Sequence, residues 1–146
     1  MTAEKLDRVV EMEEDLLFIL KKEPENSNVL NTLGFLLTEK TDRYKEAQAY
    51  IEKALKLDPE DMATIDSMGW VLYQQGFLKK SLHYLEKAYK LEEDPEISAH
   101  YGEVLWQLNQ KDQAKQIWQK AIKKNPEHAV LKKTIERFLI NNFCES

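Results

Sequence analysis

The sequence predicts an all-α fold: an α-solenoid of three helical hairpins, with a half-repeat helix before them and a capping helix after them. Two observations carry this reading. Gly34, Gly69 and Gly102 stand 35 and 33 residues apart and Pro24 and Pro59 stand 35 apart, the mark of an internal repeat. Within each period, apolar residues recur three and four positions apart, as they do along one face of a helix.

The first element, residues 4–22, places Met12, Leu16 and Ile19 where a unit's second helix later places Ala47, Ile51 and Ala54, and Pro24 follows it. Residues 1–26 therefore read as half a repeat. Such a half lacks the helix on which it should pack, so the expectation is the C-terminal part of a longer protein, with Leu6, Val10, Leu17 and Phe18 partly uncovered. Paired helices are expected over 27–40 with 43–57, 62–75 with 78–91, and 95–109 with 112–124. The repeats then run 27–61, 62–94 and 95–127 within a single domain, 1–146. Asn26, Asp61 and Asp94 occupy N-cap places, and Pro95 falls in a first turn, where its missing N–H costs nothing. The turn between the first pair of helices is one residue longer than in the second pair and lacks the glycine that Gly76 supplies there, an insertion that a loop absorbs easily. Residues 128–146 hold an amphipathic capping helix, 128–142, with Val130, Leu131, Ile135, Leu139 and Ile140 on its apolar side. A tail with the lone Cys144 follows it.

Aligned on the glycines, Leu33-Gly34, Met68-Gly69 and Tyr101-Gly102 are each followed by a second segment: Ala47, Ile51 and Ala54; Ser81, Leu85 and Ala88; Ala114, Trp118 and Ala121. This pattern resembles the tetratricopeptide repeat family over nearly the whole chain. Each glycine falls on the stripe that faces the second helix of its own hairpin, where a missing side chain lets two backbones approach and packing offsets the lost helix propensity. Trp118 belongs to that core.

A different stripe of each first helix carries Asn31, Phe35 and Thr38; Asp66, Trp70 and Tyr73; and Ala99, Glu103 and Trp106, with His100 beside the last set. In the capping helix the corresponding residues are Lys133, Arg137 and Ile140. The resemblance implies that this stripe lines a concave groove that holds a partner segment, with the aromatics as anchors. Packing of the same aromatics on neighbouring helices is the alternative. No set of basic and amide side chains suited to clamping a terminal carboxylate is visible on the stripe. With Glu39, Asp66, Glu96 and Glu103 near it, and Lys133 and Arg137 at one end, the groove reads as aromatic and acidic. The expected partner is a protein or peptide with apolar anchors and some positive charge.

Other classes find little support. A net charge of -5 without a basic stripe argues against nucleic acid and against anionic membranes. No apolar stretch is long enough to span a bilayer. His83, His100 and His128 lie on separate segments, and no zinc-protease motif, cysteine pair or phosphate loop is present. His100 and Glu103, one turn apart, are too few ligands for a metal site. No catalytic residue, metal or cofactor is therefore expected. The function expected is a non-catalytic adaptor or scaffold. The rivals are a self-association module acting through helix 4–22 and a regulatory domain of a larger enzyme. More narrowly, the run from Thr41 to Phe138 is similar to the C-terminal end of bacterial tetratricopeptide lipoproteins. That resemblance implies an envelope protein, some members of the group being adaptors for periplasmic proteases.

Overall fold

The computed structural model describes residues 2–140. Met1, residues 141–146 with Cys144, and the side chain of Ile140 lie outside the described residues. Among the described residues the order is α1 (Ala3–Lys22), α2 (Ser27–Lys40), α3 (Tyr44–Leu57), α4 (Met62–Gln74), α5 (Leu78–Leu91), α6 (Pro95–Gln107), α7 (Lys111–Lys124) and α8 (Ala129–Ile135), then a π-helical turn, Glu136–Ile140. No strand occurs among them, and no helix is long and apolar enough to cross a membrane. The chain divides into two compact units, Met1–Gly76 and Phe77–Ser146.

Helix starts follow the capping chemistry read from sequence. The Asn26 side chain accepts from the Val29 N–H at 3.1 Å, Asp61 accepts from the Thr64 N–H at 3.2 Å, and Asp94 accepts from the Glu96 and Ile97 N–H groups at 2.9 and 3.3 Å. Each bond satisfies a donor that a helix start would otherwise strand. His128 opens α8 in the same way, its Nδ1 accepting from the Leu131 N–H at 3.3 Å. Gly76 lies at φ 88° and Asn109 at φ 65°. These left-handed residues end α4 and α6 earlier than the apolar period predicts, and asparagine is among the few side chains that tolerate the conformation.

In the first unit α2 packs on α1, α3 and α4. Its core comprises Leu30, Leu33 and Leu37 of α2 with Ala47, Ile51 and Ala54 of α3, all buried. A Cβ on Gly34 would come within 2.5 Å of Ile51 Cγ1 and 2.9 Å of the Ala47 carbonyl oxygen. Helix α1 buries Val9, while Leu6, Val10, Met12, Leu17 and Phe18 are exposed.

In the second unit α6 packs on α5, α7 and α8. Trp118 of α7 is fully buried, and its Nε1 donates to the Ala99 carbonyl at 3.3 Å. A Cβ on Gly102 would sit 2.1 Å from that same nitrogen. The long capping helix expected over 128–142 is instead the short α8 running into a π turn, with the described part ending at Ile140.

Alanine at position 102 raises helix propensity by about 1 kcal/mol but collides with a rigid, fully enclosed indole, and overpacking costs about 1–3 kcal/mol. Gly102→Ala is expected to lower the thermal midpoint, and combining it with Trp118→Leu should cost less than the two separate losses added together. Calorimetry of the two single variants and the double variant checks this.

Candidate functional site

The first unit carries the Asn31 and Asp66 stripes. Asn31, Phe35 and Glu39 follow one another at helical spacing on α2, with Asn31 and Phe35 half-buried and Glu39 exposed. On α4, Trp70 stacks on Tyr73 at 5.0 Å between ring centroids. The Trp70 Nε1 donates to Glu39 Oε1 at 2.5 Å, tying the α4 stripe to the α2 stripe. Trp70 is only 7% exposed and Asp66 is buried with it, whereas Tyr73 remains half-buried. The indole expected to stand open to a partner is thus largely enclosed, and the half-buried rings on the α2 and α4 stripes are those of Phe35 and Tyr73. Asn31 Oδ1 is a buried acceptor that receives no hydrogen bond among the described residues.

The second unit carries His100, Glu103, Trp106, Lys133 and Arg137. His100 and Glu103 are buried, Trp106 is half-buried, and Lys133 and Arg137 are exposed. An ion pair joins Glu103 to Arg137; its carboxylate side is 8% exposed and its guanidinium side 56%. Glu103 therefore adds little negative potential at the surface, because an adjacent opposite charge offsets it. Trp106 stacks on the core indole of Trp118 at 5.8 Å and lies 5.9 Å from the Phe138 ring, which itself stacks on Trp118 at 5.6 Å.

Sequence reasoning missed three participants here. The α-helical period does not point to Phe138, because the π turn winds more widely than an α-helix and brings consecutive residues, Arg137 and Phe138, to Glu103 and Trp106 respectively. Lys111 and Lys115, one turn apart on α7, hold their ammonium groups 5.1 and 5.9 Å from the Trp106 ring centroid. Their signal was present in the i, i+4 spacing of two lysines at the start of the helix after Trp106. Among the described residues, no cluster of three or more His, Cys, Asp or Glu side chains is placed to hold a metal ion.

The family model of the tetratricopeptide repeat matches residues 11–134. A TPR repeat-containing protein of Pseudomonas aeruginosa is 44% identical over 103 residues, which make up 70% of this chain and 18% of that protein. Among solved structures, a thermophilic TPR protein of Thermus thermophilus matches with a TM-score of 0.78 and 20% identity, over 93% of this chain and 75% of the other. MamA of Desulfovibrio magneticus matches with a TM-score of 0.70 and 18% identity, over 86% and 71%. These two likenesses show the fold alone. An O-GlcNAc transferase mutant of Thermobaculum terrenum gives a TM-score of 0.63 and 26% identity, over 66% of this chain and 19% of the transferase. This chain therefore spans less than a fifth of the Pseudomonas relative and of the transferase. Repeats of this kind are, in general, protein–protein interaction modules.

Removing a largely buried indole costs about 3–5 kcal/mol, while losing one hydrogen bond costs about 1 kcal/mol. Trp70→Ala is therefore expected to destabilise the fold severely and Trp70→Phe, which loses the bond to Glu39, only mildly. Urea unfolding followed by circular dichroism separates the two.

Proposed function

Because this chain belongs to the tetratricopeptide repeat family, we propose that it is a non-catalytic adaptor or scaffold that holds a segment of a partner protein against the side-chain stripes of its first helices. The observation that carries this reading is that, in the first unit, Phe35 on α2 and Tyr73 on α4 are half-buried while the carboxylate of Glu39 is exposed. Aromatic rings held by their neighbours lose little entropy when a partner covers them, so they make efficient anchors. Trp70, stacked on Tyr73 and bonded to Glu39, supports two of these side chains from behind. Asn31 contributes an acceptor: a turn about its terminal torsion would offer Oδ1 to a backbone N–H of the partner. Leaving that oxygen buried and unmet costs about 1–3 kcal/mol. The first unit thus suits an apolar anchor flanked by hydrogen-bond donors or positive charge.

The non-catalytic reading concerns these residues. The Thermobaculum transferase, of which the match covers 19%, supports repeats of this type also serving within an enzyme polypeptide. Self-association is favoured by one observation, the exposure of Leu6, Val10, Leu17 and Phe18 on α1. Under that reading, Leu6→Lys with Leu17→Lys would lower the mass measured by light scattering.

Immobilised chain should retain a partner from a lysate of its source organism, and Phe35→Ala with Tyr73→Ala, at unchanged helicity, should weaken retention about tenfold or more. Equal retention by the double variant would contradict the assignment. Asn31→Ala offers a sharper check: removing an unmet acceptor should leave stability unchanged or raise it, yet still weaken retention.

A further inference from the structure

We infer that the Trp106 surface of the second unit docks an acidic peptide segment bearing an apolar or aromatic anchor, a charge preference opposite to that of the first unit. This rests on the reading of the chain as a partner-binding module and adds the chemistry of the partner at this surface.

Three features point the same way. The floor is aromatic: Trp106 is half-buried, backed by Trp118 and flanked by Phe138. Its surroundings are cationic: Lys111 and Lys115 lie over the Trp106 ring, and the Arg137 guanidinium lies 4.8 Å from the Phe138 centroid. Lys133, one turn before Arg137, is exposed. Finally, the acidic residue of the stripe is neutralised, since Glu103 is buried under Arg137.

Ammonium groups resting on an indole are held near the ring by its quadrupole and are partly dehydrated there. They lose less mobility and less water on meeting a carboxylate than lysines free in solution do. Charge-assisted bonds from lysine to carboxylate would then set the register, while the partner's apolar side chain covers the exposed part of Trp106. A phosphate backbone could also meet these cations. The chain's net charge of -5 opposes a densely charged polyanion most, whereas a short acidic peptide needs only the few cations gathered here, and its apolar residue matches the aromatic floor.

The test is fluorescence anisotropy on the whole chain with four labelled probes. These are a short glutamate-rich peptide with one central phenylalanine, the same peptide with that phenylalanine replaced by alanine, its lysine-rich counterpart, and a short single-stranded thymidine oligonucleotide. The first should bind best, weaken on loss of the phenylalanine, and weaken as salt shortens the screening length. Lys111→Glu with Lys115→Glu, at the exposed first position and the half-buried fifth position of α7, should keep full helicity and bind the first peptide about tenfold more weakly or worse. Preference for the lysine peptide or the oligonucleotide overturns this inference while leaving a binding surface in place. Equal binding by the double variant overturns it too. If no probe binds, the partner-binding reading of this surface fails with it.

Discussion

In each unit, one backbone position of a hairpin has no room for a methyl group, and the surface outside it is arranged by that closeness. Gly34 meets Ile51 and the Ala47 carbonyl; Gly102 meets the Trp118 indole. Two helices in such contact can neither rotate nor slide without opening a void or a clash, because protein interiors are packed near crystal density. With that face fixed, helical geometry decides which residues stand beside it, about 40–100° around the helix. In α2 these are Asn31 and Phe35; in α6 they are Glu103 and Trp106. Trp118 links the two roles, filling the space that Gly102 leaves and stacking on Trp106.

The two surfaces share a design of an aromatic group held from behind, yet they differ in electrostatics. In the first unit the indole is the hidden support, its Nε1 engaged by Glu39, and the half-buried rings are those of Phe35 and Tyr73. In the second unit the half-buried indole of Trp106 reaches the surface itself beneath Lys111 and Lys115, and Arg137 lies over the neighbouring Phe138 ring. Burial of a carboxylate beneath an arginine turns a residue that counts as acidic in the sequence into part of a basic surface. A charge tally along a helix stripe misses this, because the sign of a surface depends on which member of a pair faces water.

Much of the fold was legible from one dimension. The glycine period and the Asn26, Asp61 and Asp94 caps place the helices within about two residues, since capping and close packing act through local spacing. Assigning Gly34 and Gly102 to the hairpin seam needed only the 3.6-residue period. Trp70 shows where that period stops being informative: a stripe says which way a side chain leaves its helix, not how deeply its neighbours enclose it. Phe138 eluded the reading because a π turn breaks the period on which the reading depends. Lys111 and Lys115 eluded it because they sit on the following helix and reach Trp106 only through tertiary proximity.

The Gly102 contact is the origin of the Trp106 surface, and a crystal structure of the Gly102→Ala variant tests that most directly. The Trp118 indole is expected to move away from α6 and to take the Trp106 and Phe138 stack with it. An indole left in place, with α6 and α7 at their original separation and Trp106 undisturbed, would contradict it.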